Sequence, residues 1–84
     1  MVTALMDRIT VDVAAEALFV SQLQQSDHAD PGHIPAIVFM VVSTRGESSC
    51  AAEVAQEFGD HPQNAADRMC WCRAVVAEWF LRTS

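Results

Sequence analysis

The chain has no lysine, and its 5 basic residues are all arginines, set against 11 acidic residues. The formal net charge is -6. An acidic chain repels phosphate backbones and anionic lipid, which excludes binding to nucleic acid or a membrane surface through bulk electrostatic attraction. Only a local basic face could overcome this repulsion.

Long apolar runs are also missing. The longest one, Ile34 to Val42, is far shorter than the roughly 20 residues that cross a bilayer. Met1 to Met6 lacks the basic and apolar regions of a secretory signal. The cysteines are an odd number, which favours reduced thiols over a disulfide framework; they are Cys50, Cys70 and Cys72. We therefore expect a cytoplasmic protein without a membrane segment.

The chain does contain enough apolar residues to fold, since 51% of its 84 residues are hydrophobic. A chain of this length has room for one core. Residues 1–84 are therefore predicted to form a single domain.

Two helices are predicted in the first half. Thr10 or Asp7 can cap a first helix that runs to about Gln25. The next element, Ile34 to Thr44, has strong strand propensity, but the chain offers no second strand of equal strength to pair with it. We predict a helix there, because Gly46 fits a helix end.

Two more helices are predicted in the second half. Ser48 or Ser49 can open a helix from Cys50 to Phe58 that Gly59 ends. Its apolar face consists of Ala51, Val54, Ala55 and Phe58.

The fourth helix follows directly. Asp60 can cap it, Gln63 completes a capping-box pattern and Pro62 fits the opening turn. This helix runs to about Leu81. Together the four helices predict an all-α fold, a compact four-helix bundle with a helix-turn-helix-like C-terminal half.

The helix-turn-helix spacing gives one functional hypothesis. The small side chain of Ala55 would allow the third and fourth helices to cross closely. Gly59 would form the turn between them, and Ala65 would pack inward. The DNA-reading residues would be Gln63, Asn64, Arg68 and Arg73. The charge of this half, with five acids against two arginines between residues 47 and 73, disfavours DNA binding.

Neither the cysteines nor the histidines form a recognisable site. Cys70 and Cys72, two apart on a helix, point to different sides, so they cannot chelate a metal together. The histidines lie in loops or helix starts, and no nucleophile stands beside them in the sequence; they are His28, His33 and His61. We predict no catalytic residue, no metal and no cofactor.

The last helix is apolar around much of its circumference. One stripe consists of Ala65, Met69, Cys72, Val76 and Trp79. The apolar surface extends further around the helix through Trp71, Val75, Phe80 and Leu81. The predicted interface consists of Trp71, Val75, Trp79 and Phe80. A helix this apolar must be covered on most sides, either as the central helix of the bundle or by a partner protein or a second copy.

The block Cys50 to Arg73, centred on VAQEFGDHP, and the segment Leu23 to His28 resemble short uncharacterised helical proteins of actinobacteria. In those proteins the second helix is more polar than Ile34 to Val42 here. The resemblance implies an intracellular bacterial protein of regulatory or accessory type. The preferred hypothesis is a non-enzymatic protein-interaction module, with a DNA-binding transcriptional regulator as the alternative.

Overall fold

A computed structural model describes residues 9–27 and 30–83 of the chain. These residues form four α-helices: α1 (Val11–Val20), α2 (Ile34–Arg45), α3 (Glu47–Asp60) and α4 (Pro62–Thr83). Two short 3-10 turns, Gln25–Asp27 and Pro31–His33, lie between α1 and α2. Within the described ranges there is no strand, which confirms the all-α prediction.

The core forms around α1, which packs against the other three helices. Three alanines, Ala14, Ala15 and Ala17, are fully buried, and so is Leu18. Small side chains allow neighbouring helices to approach closely. The shortest helix is therefore the centre of the fold.

The ambiguous second element is the helix α2, as predicted. Gly46 ends it with a backbone φ of 82°, a conformation that favours glycine. The Gly46 carbonyl also accepts the amide of Cys50, so α3 begins at Glu47. The predicted start at Cys50 was wrong because one glycine both ends α2 and opens α3.

The predicted end of the first helix was also wrong. Thr10 caps α1 by accepting the amide of Val13, but α1 stops at Val20 rather than near Gln25. Ser21 has an extended backbone, and its hydroxyl donates to the Leu18 carbonyl at 2.6 Å. This side-chain hydrogen bond takes the place of a backbone hydrogen bond that a continued helix would make. Asp7, the alternative cap, lies outside the described residues.

The boundary between α3 and α4 lies two residues beyond the predicted one. Gly59 does not end α3, which continues through Asp60 to a break at His61 (φ -139°, ψ 67°). Asp60 therefore does not cap α4, and the side chain of Gln63 donates to Asp67 instead of completing a capping box. Pro62 does open α4, as predicted.

The buried face of α3 differs from the predicted one. Its buried residues are Cys50 and Val54, whereas Ala51 and Ala55 are exposed. Phe58 is partly exposed and stacks on Phe19, with 6.3 Å between ring centroids. Since Ala55 faces outward, it does not provide the close crossing that the helix-turn-helix hypothesis required.

Candidate protein-binding groove

The long helix α4 carries two apolar stripes with different surroundings. The inward stripe, which is buried, consists of Ala65, Met69, Cys72 and Val76. The outward stripe is half-buried and contains Trp71, Val75 and Trp79. The spacing predicted both stripes, except that Trp79 belongs to the outward one.

The outward stripe forms one wall of a groove of about 520 Å³. The opposite wall comes from the segment after α1, the second 3-10 turn and the first turn of α2. Its lining residues there are Leu23, Gln25, Pro31, Gly32, Ile34 and Pro35. On the α4 side the rim ends in Glu78 and Arg82, which form an ion pair. The groove thus has apolar walls and a polar rim.

Aromatic contacts hold the groove's C-terminal end. The Trp79 ring lies edge-on to Phe39 of α2, with centroids 6.5 Å apart, and edge-on to Phe80 at 4.9 Å. Phe80 is half-buried and supports Trp79 without lining the groove. Of the four predicted interface residues, the groove therefore brings together Trp71, Val75 and Trp79.

Arg68 joins α4 to the end of α1. Its Nε donates to the Phe19 carbonyl at 2.9 Å, and its Nη2 donates to the carbonyls of Ser21 at 3.0 Å and Leu23 at 2.9 Å. The last turn of α1 contains no basic residue of its own. Arg68 therefore supplies the positive charge and the donors that the C-terminus of a helix favours.

The same guanidinium lies between two aromatic rings. Its central carbon is 5.5 Å from the ring centroid of Phe19 and 5.6 Å from that of Trp71. Both distances are within the range of cation–π attraction. Arg68 thus holds Trp71 and the backbone of Leu23, which belong to opposite walls of the groove.

The residues of the DNA-binding alternative do not form a basic surface. Gln63 and Asn64 are exposed in the first turn of α4. Arg68 is engaged with the carbonyls after α1, and Arg73 forms an ion pair with Asp12. Both arginines are therefore already bound within the chain.

The buried thiols are poorly placed for nucleophilic chemistry. Burial raises the pKa of Cys72 to about 11, against a smaller lowering effect of Arg68. Burial also raises the pKa of Cys50. A thiol of raised pKa is protonated at neutral pH and is a weak nucleophile. Cys70 is exposed, and all three cysteines are free.

The described residues contain no group of three or more His, Cys, Asp or Glu side chains arranged to hold a metal ion. His33 and His61 are exposed, and His28 lies outside the described residues. None of the helices described is both long and apolar enough to cross a membrane.

Sequence reasoning missed one wall of the groove and the role of Arg68. The segment from Leu23 to Pro35 was interpreted only as the end of the first helix, a loop and the start of the second helix. Its two prolines, Pro31 and Pro35, with Ile34 between them, were the available signal, because rigid apolar residues beside a turn can form a fixed surface.

Searches of protein-family models, curated proteins and solved structures gave no match to this chain.

Proposed function

We propose that this chain is a non-enzymatic protein-interaction module that binds a polypeptide segment in the groove between α4 and the start of α2. The observation that carries this proposal is the pair of half-buried tryptophans, Trp71 and Trp79, on one wall of an apolar groove. These are the only tryptophans of the chain. Tryptophan is enriched among the residues that dominate binding energy at interfaces.

The groove is large enough for one or two anchoring side chains of a partner. Burying one large apolar side chain contributes about 1.5 to 3 kcal/mol. Apolar walls with a polar rim have the general anatomy of a protein interface. The rim in this chain is formed by Gln25, Glu78 and Arg82.

The proposal includes a regulatory or accessory role in the cytoplasm. The three free cysteines support that location, because thiols persist in reducing compartments. The occupant of the groove is either a second copy of the chain or a segment of another protein.

DNA binding is the weaker alternative. DNA affinity depends largely on cations that neutralise phosphates. Arg68 and Arg73 already have partners within the chain, and Asp60 and Asp67 flank the exposed amides of Gln63 and Asn64. A gel shift on genomic fragments at low salt tests this alternative, which predicts a complex that salt dissociates.

The interaction proposal is tested with a matched pair of variants. Val75→Lys places a charge in the groove, whereas Ala74→Lys places the same charge at the neighbouring exposed position of α4. Light scattering after size-exclusion chromatography, together with affinity capture from native cells, should detect a partner or a second copy with wild type and Ala74→Lys. Val75→Lys should lose it. A wild-type monomer at all micromolar concentrations that captures nothing sensitive to Val75→Lys would refute the proposal.

A further inference from the structure

The surface charges indicate which kind of partner the groove accepts. Every arginine that the structure describes is already engaged within the chain. Arg45 pairs with Glu53, Arg73 with Asp12 and Arg82 with Glu78, while Arg68 binds carbonyls. The charge of each described arginine is therefore offset by a carboxylate or engaged with backbone carbonyls, so the described arginines form no net positive patch for an acidic partner.

Many acidic residues, in contrast, have no ion-pair partner among the described residues. They are Glu16, Asp27, Asp30, Glu47, Glu57, Asp60 and Asp67. Asp27 and Asp30 lie beside the groove. The uncompensated charge of the described surface is therefore negative, including at the groove.

Two backbone hydrogen bonds fix these carboxylates close to the groove wall. Asp30 Oδ1 accepts the amide of Gly32 at 2.9 Å, and Gly32 lines the groove. Asp27 Oδ2 accepts the amide of Gln24 at 2.8 Å, and both chain neighbours of Gln24 line the groove. On the opposite wall Glu78 and Arg82 pair with each other, so Asp27 and Asp30 are the uncompensated charges beside the groove.

The α4 wall also sets the length of the occupant. From Trp71 to Arg82 the helix rises about 16 Å, which matches three turns of a bound helix or about five residues of extended chain. A short segment with one apolar side is enough to fill it. Helix-in-groove recognition uses this arrangement.

A second copy does not fit these charges. It would bring the same net charge of -6 and the same engaged arginines to the interface. Like charges brought together at an interface oppose association.

We propose, resting on the function proposed above, that the groove binds a short segment of a different protein, one that presents large apolar side chains flanked by lysine or arginine. The apolar side chains pack between Trp71, Val75 and Ile34. The flanking cations lie against Asp27 and Asp30, which have no ion-pair partner among the described residues.

Intrinsic fluorescence provides a direct readout, because both tryptophans of the chain line the groove. Three synthetic peptides of about twelve residues, the length of some three helical turns, serve as probes. The first combines leucine on one helical face with lysine, the second replaces lysine with glutamate, and the third replaces leucine with serine. None contains tryptophan, so every spectral change comes from the protein.

The lysine–leucine peptide should shift the tryptophan emission and bind with an affinity that decreases as salt increases. The other two peptides should bind about tenfold more weakly or not at all, since each lacks one of the two attractions. Val75→Lys should weaken the lysine–leucine peptide about tenfold, whereas Ala74→Lys should have little effect.

A second matched pair tests the carboxylates. Asp30→Asn keeps the acceptor for Gly32 and removes one charge beside the groove, while Glu47→Gln removes one exposed charge at the start of α3. Asp30→Asn should weaken binding about two- to fivefold, and Glu47→Gln should leave it nearly unchanged. Circular dichroism of each variant verifies that the helices are retained.

Three results would overturn the inference. In the first, the glutamate–leucine peptide binds as tightly as the lysine–leucine peptide, and Val75→Lys weakens its binding. The groove would then remain an interaction site, but its partner would not need to be basic. The second is equal weakening by Val75→Lys and Ala74→Lys, or by Asp30→Asn and Glu47→Gln, which would assign binding to net charge alone. A self-associating chain that ignores all three peptides would also refute the basic partner while supporting the proposed function.

Discussion

The two apolar stripes of α4 lie on the same helix but have different surroundings. Residues of the inward stripe, such as Cys72 and Val76, are fully buried, and the alanine-rich α1 packs along α4. Trp71 and Val75 of the outward stripe are half-buried beside a 3-10 turn and the start of α2. Helical periodicity therefore identifies an apolar surface, whereas the neighbouring elements decide whether that surface becomes core or groove.

The length of α4 explains why part of its apolar surface is left as a groove. The helix has 22 residues, whereas α1 has 10 and α2 has 12. These shorter helices cannot cover a long helix on every side. A surface that folding leaves half-covered remains available for binding.

The largest predicted effect comes from removing the arginine that joins α4 to the end of α1. Arg68→Ala removes three strong hydrogen bonds to the carbonyls of Phe19, Ser21 and Leu23. We expect the free energy of unfolding to decrease by about 2 to 4 kcal/mol, because hydrogen bonds from a charged donor are strong and the carbonyls lose their partner. Urea denaturation followed by circular dichroism measures the change.

Two other arginine variants serve as controls. Arg73→Ala breaks only the exposed ion pair with Asp12 and should cost no more than about 1 kcal/mol. Arg68→Lys keeps the charge but cannot reproduce the planar fork of donors, so its stability should lie between those of wild type and Arg68→Ala. If Arg68→Ala and Arg73→Ala lower the free energy of unfolding equally, Arg68 does not join α4 to the end of α1 as described.

The next prediction compares adjacent valines on the two stripes. Val76→Ala removes two buried methyl groups from a fully buried side chain and should cost about 2 kcal/mol. Val75→Ala, at a half-buried position in the groove, should cost about 0.5 kcal/mol or less. Chemical denaturation of both variants tests the pair, and equal losses would contradict the distinction between core and groove.

Residue spacing was enough to predict the helices and most of α4. The inward residues Ala65, Met69, Cys72 and Val76 recur at helical intervals, so their burial follows from local pattern. Trp71 and Val75 were identified in the same way, whereas spacing placed Trp79 on the inward stripe. The lack of a second strand was enough to assign α2 as a helix.

What spacing could not predict depends on contacts between distant parts of the chain. Arg68 binds carbonyls 45 to 50 residues earlier, and its side chain looked like a DNA-reading group in the sequence. The end of α1 depends on the local bond of Ser21 and on this distant arginine. Leu23 and Pro31 likewise become a wall of the groove only because α4 lies opposite them.

The prediction with the smallest effect at neutral pH concerns the pH dependence of the inward stripe, which contains a titratable group that the outward stripe lacks. Burial raises the pKa of Cys72 from 9.0 to about 11. Between these pH values the unfolded chain releases the thiol proton while the folded chain keeps it. Stability is therefore fully present below about pH 9 and decreases through pH 11, by at most about 1.4 kcal/mol per pH unit from this group.

Two alanine variants separate this titration from the effect of a cavity. Cys72→Ala removes the thiol and should flatten the dependence of the unfolding free energy on pH, leaving the smaller part that comes from Cys50, whose pKa burial also raises. Val76→Ala opens a cavity in the same stripe but keeps the thiol, so it should lower stability at every pH and retain the slope. Denaturation at intervals from pH 8 to pH 11 measures both. If the unfolding free energy of Cys72→Ala decreased with pH as steeply as that of wild type, the Cys72 thiol would not be buried. That result would contradict the distinction between the buried inward stripe and the half-buried outward stripe.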